Sequence, residues 1–225
     1  MLAALYDIHG NLPALEAVLA DAEAAGADRY ILGGDYASLG PWPVETVERL
    51  RELPSVASLR GNWERWQVSP EEAPDVPFIR AAGRWVRDAL GGLAAELGAL
   101  PETATIDGAL FCHASPISDM RTFMPEPDDD EDELLAAVAE RRVVFGHSHL
   151  QFRRVTDSGV ELANPGSVGL PFDGDRRAAY ALIDGGAVQL RRVVYDYEAV
   201  AAAGPERMGE LGDDWAERIT AALPP

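Results

Sequence analysis

The chain is predicted to be a mixed α/β protein, and three observations predict it. Through residue 60, short apolar runs alternate with helical patterns in the order β-α-β-α-β, which calls for a parallel sheet with right-handed crossovers. Beyond residue 103, short apolar runs follow one another across glycine turns, which suggests antiparallel strands. With 225 residues, 47% apolar and 25% charged, the chain is long enough for one domain with a real core. No internal repeat or linker breaks it, so 1–225 is taken as a single domain.

In order, LAALY (2–6) is the first strand and LPALEAVLADAEAAG (12–26) the first helix, with Pro13 near its start and Gly26 at its end. YIL (30–32) and VASL (56–59) are strands, separated by a helix at PVETVERLREL (43–53). Residues 75–99 read as one long helical segment ending near Pro101. TATID and GALFC (103–112) are two strands around an Asp-Gly turn. The acidic, proline-punctuated stretch PEPDDDEDE (125–133) leads into a helix at 133–140. Strands are then expected at 142–145, on either side of Asp157-Ser158-Gly159, at 178–184 and at 187–195, with a helical segment over 197–222.

The formal net charge of −19 repels nucleic acid backbones and anionic membranes. No apolar run reaches the ~18 residues of a membrane span, and MLAALYDIHGN lacks the basic start of a signal peptide. A cytoplasmic protein acting without a nucleic acid duplex or a membrane is expected. The single cysteine, Cys112, lies in an apolar run and reads as core. The C-terminal segment with Trp215 packs on the sheet or forms a homo-oligomer contact; both remain open.

The chemistry lies at the strand ends. LAALY runs into Asp7-Ile-His9-Gly-Asn11, YIL into Gly33-Gly34-Asp35, VASL into Arg60-Gly61-Asn62, ALFC into His113, and RVVF into Gly146-His147-Ser148-His149. The carboxyl edge of an open α/β sheet is where ligands bind. All four histidines of the chain fall in these stretches. Three Asp/Asn oxygens and four imidazoles without a thiolate suit manganese, iron, zinc or nickel. Seven ligands are too many for one ion and suffice for two if one carboxylate bridges. Two ions roughly 3.5–4 Å apart clamp a phosphoryl group and activate water.

At this point the sequence resembles the calcineurin-like metallophosphoesterases, in particular their small bacterial, diadenosine-tetraphosphatase-like branch. DIHGN (7–11), GGDYASLGP (33–41), RGNWE (60–64), FCHASP (111–116) and GHSH (146–149) look like the five family motifs in order, and NPGSVGLPFDGDRRAAYALID (164–184) resembles a further stretch of the small members. The resemblance implies a four-layer α-β-β-α sandwich. It implies that Asp7, His9 and His149 hold one divalent ion and Asn62, His113 and His147 the other, with Asp35 bridging and manganese the first choice. Asp35, Asn62 and His113 form the implied catalytic set, around a metal-bridging hydroxide that attacks phosphorus in line. Asn11 orients the first loop or touches substrate.

Three positions carry further expectations. Family members usually have His where this chain has Trp63, and no spare histidine replaces it. A general acid is worth ~10²–10⁴ in rate, so its absence favours a small phosphorylated substrate with a good leaving group, such as a nucleoside polyphosphate or an activated diester. Trp63 either stacks on a base or packs the site wall. Arg65 and Arg121 are candidates to grip a phosphate bidentately; a solvated surface arginine is the competing reading for each. The departures at Tyr6-Asp7 and His113-Ala114 remove no ligand. A docking or scaffold protein on the same fold is the alternative to an enzyme. A nuclease is disfavoured by the charge and by the lack of a basic stripe.

Overall fold

The computed structural model describes residues 1–224. Strand β1 (Leu2–Leu5) is buried on both faces, as its unbroken apolar sequence requires. It leads to helix α1 (Leu12–Ala24), which Asn11 caps by accepting from the Ala14 N–H at 3.2 Å. Strand β2 (Arg29–Leu32), helix α2 (Pro43–Arg51) and strand β3 (Ser55–Ser58) complete a parallel β1-β2-β3 unit. Helices α3 (Asn62–Val68), α4 (Pro77–Leu90) and α5 (Gly92–Gly98) follow. Strands β4 (Thr103–Ile106) and β5 (Ala109–Cys112) form a hairpin, and short helix α6 (Glu131–Leu135) precedes β6 (Arg142–Val144). Strands β7 (Gln151–Val155), β8 (Glu161–Pro165), β9 (Ala178–Asp184) and β10 (Ala187–Val193) follow, and helices α7 (Tyr197–Met208) and α8 (Glu210–Ala221) close the chain.

Two five-stranded sheets result, ordered β10-β9-β1-β2-β3 and β4-β5-β6-β8-β7. The strand alternation divides the core. Ala3 and Leu5 face α1 and α2 with Leu15, Val18 and Val47, whereas Leu2 and Ala4 face Phe111, Val144 and Ala163 of the second sheet. The outer face of that sheet packs Val143 and Leu162 against Leu134 and Leu135 of α6. The layers are therefore helix, sheet, sheet, helix, and the β1, β2, β5 and β6 ends open on one edge. No helix among the described residues is long and apolar enough to cross a membrane.

Both sheets are mixed. β9 joins β1 antiparallel in the first, and β5, β6 and β8 are mutually parallel in the second, with β4 and β7 antiparallel at its edges. The expectation of an antiparallel second half holds only for the hairpins. Asp107 and Gly108 have φ of 52° and 77°, the two positive values a tight hairpin needs. No such local signal marks the crossover from β5 to β6. The segment expected as one helix over 75–99 is two, interrupted at Gly91 (φ 53°), and that over 197–222 is interrupted at Gly209 (φ 62°). Helix α6 begins before residue 133 and spans five residues only. Helix α3, which begins within the RGNWE motif, was not expected.

Candidate metal centre

Each strand delivers its side chain through a tight turn. Asp7, His9, Asp35, His147 and His149 all adopt left-handed backbone, with φ between 50° and 67°. Such conformations are unfavourable for residues other than glycine and collect at functional sites. Gly34 (φ 98°) lets the turn before Asp35 pass under its neighbours, since a Cβ there would lie 2.7 Å from the Gly61 nitrogen and 2.8 Å from His113 Nδ1.

The seven residues meet in one buried cluster. His9 Nε2 lies 3.1 Å from His149 Nε2, and Asp7 Oδ1 lies 3.6 Å from the latter. Asn62 Oδ1 lies 3.0 Å from both His113 Nε2 and His147 Nδ1. Asp35 Oδ2 sits between the two sets, 3.8 Å from His9 Nε2 and 3.5 Å from His113 Nε2. Among the described residues, Asp7, His9 and His149 form one potential ligand group and Asp35, His113 and His147 another.

The hydrogen bonds around the cluster aim these atoms. His9, His113 and His149 each turn Nδ1 to a carbonyl oxygen, of Ser38 (3.1 Å), Gly33 (2.9 Å) and Leu170 (2.5 Å), so Nδ1–H donates and Nε2 faces inward. Two inward lone pairs at the His9–His149 distance repel unless a cation lies between them. Asp7 Oδ2 accepts from the His147 N–H at 2.9 Å, while Asp7 Oδ1 is buried without a hydrogen-bond partner. A buried carboxylate oxygen in that condition calls for an ion. The donor set therefore fits two divalent metals.

Electrostatics agree. Burial pushes the His9 and His147 imidazoles down to about 4 and holds His149 well below its usual range, so all three stay neutral. Burial also opposes the charge on Asp35, but His113, His9 and His147 outweigh it and keep this carboxylate ionised. His113 moves the other way, up to about 10, because Asp35 and Asp7 outweigh its burial. Burial pushes Asp7 up to about 8. Without metal, protons held on His113 and Asp7 offset the negative charge of the cluster.

Glu64, fully buried, was not singled out from sequence. Its Oε2 accepts from the N–H groups of Asp35 (2.8 Å) and Gly61 (2.9 Å), and its Oε1 from that of Tyr36 (2.9 Å). It thus ties the β2 turn to the start of α3, fixing Asp35 and Asn62 relative to each other. Burial and then the charge of Asp35 push its carboxyl up to about 7, against these hydrogen bonds. The available signal was its place three residues after Gly61, the reach-back position of a helix start.

The remaining candidates separate. Asn11 is fully buried, donating to the Gly169 carbonyl at 2.8 Å as well as capping α1, so it holds the first loop in place. Trp63 packs edge-to-face on Trp66, ring centres 5.1 Å apart, and lines a cleft of about 450 Å³ with His9, Asp35, Asn62, His147 and His149. Arg65 does not line that cleft. Its Nε and Nη2 are bound to Asp119 at 2.5 and 2.8 Å and its Nη1 to Glu72. Arg121 is half-exposed and paired with Asp130 and Glu133. Carboxylates of the chain itself thus hold both guanidinium groups, where a grip on phosphate was expected.

A family model for the calcineurin-like phosphoesterase superfamily domain matches residues 1–186. The chain belongs to this superfamily. It is 29% identical over 238 residues to an uncharacterized protein of Methanocaldococcus jannaschii, covering 93% of this chain and 96% of that one. It resembles the crystal structure of a metallophosphoesterase from Sphaerobacter thermophilus, with a TM-score of 0.80, 27% identity and coverage of 99% and 98%. A hypothetical protein from Pyrococcus horikoshii shares the fold, with a TM-score of 0.81, 20% identity and coverage of 97% and 98%. Membership of this superfamily places the chain among metal-dependent phosphoesterases and accords with the two Asp/His ligand groups.

Proposed function

We propose that the protein is a dinuclear metal-dependent phosphoesterase acting on small phosphorylated substrates with good leaving groups. The observation that carries this reading is the position of Asp35, whose Oδ2 lies within 4 Å of an imidazole nitrogen from each ligand set. Asp7, His9 and His149 would hold one ion and Asn62, His113 and His147 the other. Two divalent ions bound there supply an activated water and positive charge against the phosphoryl oxygens. Manganese is the first choice, with iron, zinc and nickel also compatible with the donors.

The protein's own contribution is orientation and exclusion. Backbone carbonyls fix the imidazole tautomers, and Glu64 fixes the backbone of Asp35. Trp63 occupies the cleft wall and carries no titratable proton, so the chain offers no imidazole there to protonate a leaving oxygen. Aryl esters and anhydrides, whose leaving groups need no such help, are the substrates this site suits. The net charge of −19 supports a small substrate over a nucleic acid duplex and a cytoplasmic setting over a membrane surface.

The test compares hydrolysis of p-nitrophenyl phosphate and bis-p-nitrophenyl phosphate by manganese-loaded protein, with Asp35→Asn alongside. Turnover of at least one ester, reduced by two or more orders of magnitude in the variant, is expected. Absence of turnover with manganese, nickel, zinc and iron overturns the reading in favour of a docking protein.

A further inference from the structure

With Arg65 and Arg121 engaged elsewhere, the cleft has another arginine. Arg218 of α8 lines it together with His9, Asp35, Asn62, His147 and His149, and is its one basic side chain among the described residues. It lies beyond residue 186, where the match to the family domain ends. The C-terminal hairpin brings it there. Trp215 and Ile219, one helical turn apart, are buried against Leu170, Val200 and Met208, which fixes the rotation of α8 and turns Arg218 towards α4. Its guanidinium lies over the Phe78 ring, 4.8 Å from the centroid.

Arg218 has no acidic partner. The chain has 38 acidic and 19 basic side chains, and most of its arginines, such as Arg142, Arg191 and Arg192, lie against a carboxylate. Arg218 makes no ion pair or side-chain hydrogen bond among the described residues, and its Nε is buried without an acceptor. An arginine that lines the same cleft as the metal-ligand cluster and has no carboxylate partner is available to an anion from outside. The rest of the cleft is apolar. Trp63, Trp66, Val76, Phe78, Ile79 and Phe172 form its wall, and Trp66 also keeps a buried indole N–H without an acceptor. A volume of about 450 Å³ accommodates a one- or two-ring group together with a phosphate.

Resting on the phosphoesterase reading, we propose that Arg218 holds the phosphoryl oxygens of the substrate and that the wall beside it receives a planar aromatic group. The substrate class is a phosphoester or phosphoanhydride carrying such a ring. Contact with Phe78 restrains the guanidinium, and with no partner inside the chain its terminal N–H groups are free for a bidentate grip on phosphate, a geometry lysine cannot reproduce.

The experiment measures binding of benzylphosphonate and methylphosphonate by calorimetry to manganese-loaded protein, alongside p-nitrophenyl phosphate hydrolysis. The variants are Arg218→Met, which keeps the apolar stem and removes the charge, Arg218→Lys, and Arg51→Ala as a surface control for net charge. Arg218→Met is expected to weaken both phosphonates by about 10- to 100-fold. Arg218→Lys should recover only part of this, and Arg51→Ala should change nothing. Wild type should bind benzylphosphonate at least about 10-fold more tightly than methylphosphonate through burial of the ring. Unchanged dissociation constants in Arg218→Met, with wild-type hydrolysis intact, overturn the anchor alone. Equal affinity for the two phosphonates overturns the aromatic class. A wild-type protein that neither hydrolyses the ester nor binds either phosphonate overturns the phosphoesterase reading itself.

Discussion

Glu64→Gln tests whether the metal centre depends on a residue that touches no metal ligand side chain. The carboxylate satisfies three buried backbone N–H groups, two through Oε2 and one through Oε1. An amide has one accepting oxygen, so whichever way it is placed at least one N–H faces an NH₂ group. A hydrogen bond to a charged group is worth about 1.5–3 kcal/mol, and stranding its buried partner costs about as much. Glu64→Gln should therefore destabilise the fold by about 2–3 kcal/mol. For a chain of this size that lowers Tm by roughly 4–12 °C. Because the stranded groups include the Asp35 N–H, manganese affinity should also fall by about 10- to 100-fold, as for other residues that orient metal ligands. Thermal unfolding of the chelated protein reads the first effect and calorimetric manganese titration the second. A variant that melts lower but binds manganese as tightly as wild type would show that Glu64 supports the fold only, and the argument for positioning would be wrong.

Other predictions follow from single contacts. Gly34→Ala must hold a φ of 98° and place its Cβ against the Gly61 backbone, so it should lose more than ~1 kcal/mol in urea unfolding and most of its activity. Trp63→His returns an imidazole to the cleft wall. It should raise turnover of alkyl phosphates by about 10-fold or more while changing aryl phosphates little, and an equal effect on both would refute the leaving-group argument. In the metal-free protein, His113 and Asp7 titrate at about 10 and about 8, both above their unfolded values. Protonation of both is favoured by folding, so their stabilisation is complete at low pH and is lost as pH rises through those values. Chelated protein should thus lose stability as pH rises through about 8 and on to about 10, and manganese, by replacing these protons, should remove that slope in denaturation curves.

The strand-end residues were legible because the signal is local: an apolar run, a glycine and a ligand type within a few positions, as at YIL-Gly33-Gly34-Asp35. The layer order was legible only through the resemblance, since nothing local in the sequence shows that β6 pairs in parallel with β5 and β8. Helix α3 was hidden because its first residues were read wholly as site chemistry, and Glu64 was hidden with it. Arg65 and Arg121 illustrate a different limit. Whether an arginine is available depends on its partners, and Asp119 and Glu133 are 54 and 12 residues away in the chain. Arg218 enters the cleft from a helix about 70 residues past the last metal-ligand motif, and no periodicity or spacing announces that.

The left-handed backbone at Asp7, His9, Asp35, His147 and His149 has an evolutionary consequence. Such positions tolerate glycine and, less well, the short polar side chains, and they exclude Val, Ile and Thr almost entirely. A substitution here must satisfy the backbone before it is judged as a ligand. Drift is therefore channelled towards Asn or Gly, either of which preserves the loops while weakening or abolishing coordination. A lineage that abandons the chemistry would keep the scaffold intact, and the shape of these turns would outlast the reaction they were built to serve.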